Sequence, residues 1–149
     1  MPAPADVQTA TLNKFLAAWE TNNIEDTVAL WSDDFTQQLL PLSLGIPENS
    51  RAKAEIAYPR LMKNLTNWKV EVKNVVHDTA RGTAVVYSTS LADTPVPGEK
   101  WTNEYGIFIT FSEDGTRIKR LEEMIDSAFF GRFFPLLQQH FAKQAGAHQ

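Results

Sequence analysis

The stretch TNEYGIFITFSEDGTRIKRLEEMID, residues 102–126, decides the reading of this chain. It reads as two long strands joined by a tight turn, because Asp114-Gly115 between hydrophobic runs is a strong hairpin signal. Along the first strand Trp101, Asn103, Tyr105, Ile107, Ile109 and Phe111 share one face. Glu104, Gly106, Phe108 and Thr110 share the other. The second strand carries Arg120, Glu122 and Glu123 and ends in Asp126, where an aromatic helix begins. Three carboxylates and a phenol among large apolar side chains are the one grouping that resembles chemistry.

Adjacent residues of a strand point to opposite faces, so one of Glu122 and Glu123 at most faces a pocket. A two-residue Asp114-Gly115 turn sets Tyr105 opposite Met124 and Ile107 opposite Glu122. A three-residue Glu113-Asp114-Gly115 loop sets Tyr105 opposite Glu123 instead. Glu123 is the slightly favoured candidate. The bland alternative is a solvated ion pair for a glutamate and a helix cap for Asp126. The flanking Leu121, Met124 and Ile125 bring that alternative to roughly even odds for the glutamates.

Outward from the hairpin, a first helix carries Leu12, Phe15, Leu16 and Trp19 on one stripe. A second, capped near Asn23, carries Ile24, Val28 and Trp31. Ser32-Asp33-Asp34 breaks the pattern before a short strand, Phe35 to Leu40. A Pro41–Pro47 loop follows, and a third helix runs to about Asn64, with Pro59 expected to kink or restart it. A strand after Thr66-Asn67, carrying Trp68, Val70 and Val72 on one side (alternation slipping near Asn74-Val75-Val76), and a strand over 83–92 precede the hairpin. A last helix carries Phe129, Phe130, Phe133 and Phe134, with Pro135 expected to bend it and the tail from Gln144 expected to fray. Helices followed by a strand meander argue an α+β fold: a curved antiparallel sheet bent into a cone, closed on one side by the helices, with a pocket at its open end.

The chain's 149 residues suit one domain, with a core over about 11–141. A net charge of -4 leaves no footprint for nucleic acid and argues against an anionic membrane surface. With no cysteines, thiolate catalysis and Cys-based zinc sites are excluded. The histidines lack metal-ligand spacing, so no metal is expected; His77 reads as a surface residue. No apolar run approaches the ~18 residues of a membrane helix, and a cytoplasmic location follows by default.

Several segments carry a family likeness: Thr36 to Leu44 (TQQLLPLSL), Thr66-Asn67-Trp68, Ala92-Asp93-Thr94-Pro95, and NEYGIFITFSEDGTRIKRLEEMIDSAFFGRFFP. The chain resembles SnoaL-like proteins of the nuclear-transport-factor-2-like superfamily. It is most similar to small fungal members of secondary metabolism, such as isomerases of meroterpenoid biosynthesis and semipinacolase-type enzymes. The resemblance implies a cone-shaped barrel, a homodimer formed through the sheet, and acid/base catalysis without a cofactor on a hydrophobic polycyclic intermediate. It makes Tyr105, Glu122 and Glu123 pocket candidates and Asp126 the strand-end base. Gln37, Arg60, Asn103, Trp101 and Phe130 become candidate substrate contacts. One departure stands out: where such proteins often read Thr-His, this chain reads Thr36-Gln37.

Overall fold

The computed structural model describes residues 2–147. Helix α1 (Ala5–Glu20) and the short α2 (Ile24–Ala29) lead into strand β1 (Trp31–Leu40). A two-residue strand β2 (Asn49–Ser50) precedes helix α3 (Arg51–Met62). Then come β3 (Thr66–Asp78), β4 (Thr83–Asp93), β5 (Lys100–Phe111), β6 (Ile118–Ile125) and helix α4 (Ser127–Ala147). The six strands form one curved, unclosed sheet in the order β2-β1-β6-β5-β4-β3.

This is the expected α+β cone with one correction to the sheet. The meander β3 to β6 is antiparallel, but β1 lies parallel to β6, so the sheet is mixed. Trp31 also opens β1 rather than closing α2, and Ser32-Asp33-Asp34 continues the strand. Asn23 fixes the start of α2, its side chain accepting a hydrogen bond from Asp26 N, and the helix ends six residues on, where Leu30 O accepts from Ile118 N at 2.7 Å and the chain enters the sheet. Both internal prolines are absorbed. α3 runs through Pro59, and α4 runs through Pro135 to Ala147, past the point where fraying was expected. The slip near Asn74 is a register shift between Val72 and Asn74 against β4.

The concave face holds the core. Phe35 of β1, Val86 of β4, Ile107 and Ile109 of β5 and Leu121 of β6 are all buried there. Helices α1 and α4 close it with Leu12, Phe15 and Trp19 from one and Phe129, Phe133 and Leu137 from the other. α3 is tied to β1 through Arg51, whose guanidinium donates to Trp31 O and Ser32 O at 2.5 and 2.9 Å. Strand β4 behaves unusually: its small residues Ala84, Ser88 and Ser90 point inward and are buried, while Tyr87 and Leu91 are exposed on the outer face. Tyr105 of β5 pairs across the sheet with Ser88 of this inward face.

The hairpin register matches neither turn considered above. Ser112 N donates to Arg117 O at 2.9 Å, closing a four-residue loop, and Lys119 is an extra residue between the Thr110–Arg120 and Phe111–Ile118 pairs. Tyr105 therefore stands opposite Ile125, and Ile107 opposite Glu123. The loop needs glycine: Gly115 has φ +73°, and a Cβ there would lie 2.6 Å from Ala3 Cβ.

Candidate active site

Because Glu123 pairs with Ile107, it shares the concave face with Tyr105, Leu121 and Ile125. Gln37, on the same face of the neighbouring β1, donates from Nε2 to Glu123 Oε2 at 2.7 Å. Oε1 makes no hydrogen bond with the described residues. The residue keeps an intermediate share of accessible surface, yet desolvation is the largest influence on its carboxyl and raises its pKa. Those two facts agree for a carboxyl that is ringed by protein while the residue keeps some accessible surface. Gln37 opposes the shift by hydrogen-bonding the charged form. The result is a carboxyl fixed by one oxygen, with the other open to a guest.

Glu122 is placed on the opposite face. It pairs with the half-exposed Phe108, and its carboxylate meets Arg120 Nε at 3.3 Å, while Arg120 also bridges Glu48 at 2.6 Å. This is the solvated ion-pair arrangement, outside the cone. Asp126 is exposed and caps α4: its Oδ1 accepts from Phe129 N at 3.1 Å. Three carboxylates close in sequence therefore go to three places, and one of them enters the interior.

Tyr105 is buried, edge-on to Trp19 with ring centroids 5.5 Å apart. Its hydroxyl lies 2.6 Å from Ser90 Oγ, and Trp101 Nε1 donates to Ser90 Oγ at 2.9 Å and to Tyr105 Oη at 3.3 Å. Burial above all raises its pKa, against the hydrogen bonds of Ser90 and Trp101, and the charge of Glu123 adds to the rise. Trp101 thus sits in the buried cluster as the donor that holds Tyr105, with Phe129 and Phe133 edge-on against its indole. Asn103 is buried and structural in its contacts: its Oδ1 accepts from Glu104 N and Asp126 N, joining β5 to the start of α4.

Arg60 and Phe130 lie apart from Glu123's contacts. Arg60 is exposed and stacks over the Phe141 ring at 4.7 Å, in a cleft of about 610 Å³ between α3 and α4. Phe130 stacks on Phe134, and it is Phe129 that meets Trp101. A second cleft of about 620 Å³ lies between α1, α2 and Thr116-Arg117. Neither cleft is lined by Glu123. His77 is half-buried rather than a free surface residue, its Nε2 3.2 Å from Gln8 Oε1.

Sequence reasoning missed Tyr58, Ser88, Ser90 and Trp31. Tyr58 Oη, Ser88 Oγ and Trp31 Nε1 are buried without a hydrogen-bond partner among the described residues. Tyr58's pKa is pushed up to about 12, mainly by burial, and the Glu123 charge contributes. Its hydroxyl lies near Thr27 without closing a bond of good geometry; Thr27 Oγ1 donates to Asn23 O at 2.8 Å. The available signal was small polar residues alternating with Ala and Val on β4, a face too small to fill a core. Among the described residues no three His, Asp or Glu side chains gather as a metal set.

Comparison with known proteins gives a consistent family. The SnoaL-like domain matches residues 12–121. Over 147 residues the chain is 61% identical to a protein named monooxygenase nsrS from Aspergillus novofumigatus, covering 98% of each. It is 45% identical over 144 residues to monooxygenase dmxR10 from a Cryptosporiopsis species, covering 97% of this chain and 96% of that one. Among solved structures, the BvnE pinacolase of Penicillium brevicompactum superposes with a TM-score of 0.80 at 17% identity, covering 91% of this chain and 93% of that one. At that identity the likeness is one of fold.

Proposed function

This chain belongs to the SnoaL-like family, and from that premise we propose that it is a cofactor-independent isomerase or cyclase of fungal secondary metabolism. Its substrate is a hydrophobic polycyclic intermediate bearing a carbonyl. The observation that carries the reading is Glu123: inward, desolvated, held at Oε2 by Gln37 and open at Oε1. A desolvated carboxyl with a raised pKa can exchange protons in both directions, as acid or base. Gln37 keeps the carboxyl oriented, and Tyr105, fixed by Ser90 and Trp101, forms the wall beside it. The substrate's own carbonyl takes the electron pair, so the proton transfer requires no cofactor. Isomerisation leaves the mass of the substrate unchanged; a dehydratase using the same pocket removes water.

A second reading follows from the name of the 61%-identical relative, a monooxygenase. The base is the same, but the proton that Glu123 removes is a phenolic or enolic one. The electron-rich anion then reacts with dioxygen, and a phenol leaves as a quinone with one oxygen gained, two hydrogens lost and water released. Product mass separates the readings. In either, Glu123→Gln lowers turnover by about 10²–10⁴-fold, the usual share of general acid–base catalysis, and Glu122→Gln leaves it near wild type. Full turnover in Glu123→Gln refutes the assignment.

We propose also that a second copy of the chain covers the outer sheet face. Phe108, Met124, Tyr87 and Leu91 lie exposed there on three adjacent strands. Gly106, between Tyr87 and Met124, leaves the face flat at its centre. Large apolar side chains exposed on one sheet face, with Glu104 and Glu122 between them, support an interface there.

A further inference from the structure

Helices α3 and α4 face one another across a cleft of about 610 Å³ that Glu123 does not line. On α3, Lys53, Ala57 and Leu61 recur at every fourth residue, with Arg60 beside Leu61, so they share one side of the helix. On α4, Phe134, Leu137, Phe141 and Ala145 do the same. Leu61, Phe134, Leu137 and Phe141 give the cleft apolar walls. The alanines at 57, 142 and 145 carry only methyl groups, too small to close the gap. Ile56, which also lines it, is 72% exposed, a large apolar side chain left for something to cover. The space is elongated: from Phe134 to Ala145 the α4 wall runs about 16 Å. Its volume lies in the range of small-molecule sites.

The charge in the cleft has one sign. The chain as a whole carries -4, yet Lys53 and Arg60 line the cleft and no carboxylate does among the described residues. Neither cation makes an ion pair with a described residue. On the same helix Arg51 is neutralised by Glu55 at 2.7 Å, so α3 pairs one arginine and leaves the other open. Arg60 lies over the Phe141 ring at 4.7 Å, and a guanidinium stacked by its face keeps its N–H edge for an anion. We propose that this cleft is a second binding site, for an extended alkyl carboxylate. The chain lies along the two apolar stripes, the carboxylate meets the Arg60 guanidinium, and Lys53 adds positive potential further along α3. The site is independent of the acid/base reading, since it shares no residue with Glu123 and its hydrogen-bond partner Gln37.

The test titrates decanoate and 1-decanol, the same chain with and without a charge, into the full chain by isothermal calorimetry. The wild type is expected to bind decanoate more tightly, with an affinity that falls as salt is added. Arg60→Gln is expected to lose about tenfold for decanoate, the worth of a charge-assisted hydrogen bond, with decanol unaffected. Lys53→Gln is expected to lose less, and Ala142→Phe, which fills the cleft, to weaken both probes. All three positions are exposed on helices, and circular dichroism confirms that each variant is folded. No binding of decanoate, equal affinity of the wild type for both probes, or unchanged decanoate affinity in Arg60→Gln and Lys53→Gln overturns the proposal. So does a change in Glu123→Gln as large as that in Arg60→Gln, which places decanoate in the cone.

Discussion

Glu123 and Glu122 are chemically identical neighbours with opposite surroundings, and those surroundings decide what each can do. Glu122 has Arg120 at 3.3 Å and water around it, an arrangement that contributes little to stability. Glu123 has apolar strands on either side and one amide donor. Because burial raises its pKa in the fold, the folded state holds its proton more tightly than the unfolded chain does. Stability from this group is therefore present in full below the ordinary glutamate pKa and is lost as pH climbs through the raised folded value. Glu123→Gln lacks that titration. The gap in melting temperature between Glu123→Gln and wild type is expected to widen in favour of the variant across that window, as scanning calorimetry at successive pH values reads directly.

At the scale of elements, the single extra residue Lys119 has the largest consequence. Side chains alternate along a strand, so a one-residue change of register swaps its faces. A plain two-residue Asp114-Gly115 turn pairs Ile107 with Glu122 and turns that glutamate inward. The actual four-residue loop keeps the same parity, and the bulge at Lys119 shifts it once more, bringing Glu123 to Ile107. The existence of the hairpin and its two faces could be read from alternation. Its register could not, because loop length and a bulge depend on how Thr11 Oγ1 of α1 and Ala3, ahead of that helix, seat the turn. Trp31 misled for a related reason: its helical spacing continues past a six-residue helix that ends where Leu30 O pairs with Ile118 N, a contact with a strand far along the chain. Tyr58 was legible only as an apolar helix position, since nothing local tells where its hydroxyl ends. Asp126 acts at this scale too. As the cap of α4 it should contribute about 1 kcal/mol, so Asp126→Ala is expected to lower unfolding free energy by about that amount in urea titration, with turnover retained.

For the molecule as a whole, the sheet separates two environments. Its concave face carries the desolvated carboxyl and the unpaired Trp31 and Ser88 groups, and its convex face carries Phe108, Met124, Tyr87 and Leu91 in the open. β4 makes the division plain, with serines inward and large apolar residues outward, the reverse of what covers an ordinary monomer core. A partner copy on the convex face resolves that inversion. Light scattering should give twice the mass of one chain for the wild type and the mass of one chain for Phe108→Asp combined with Met124→Lys. A monomeric wild type contradicts the interface while leaving the interior site untouched.

The central claim is that Glu123 holds an interior, desolvated carboxyl poised to exchange protons. Carboxyl ¹³C chemical shifts across a pH titration of glutamate-labelled protein, with the resonance assigned by its loss in Glu123→Gln, test it most directly. The account predicts a midpoint clearly above that of an ordinary glutamate. A midpoint at or below the ordinary value contradicts it.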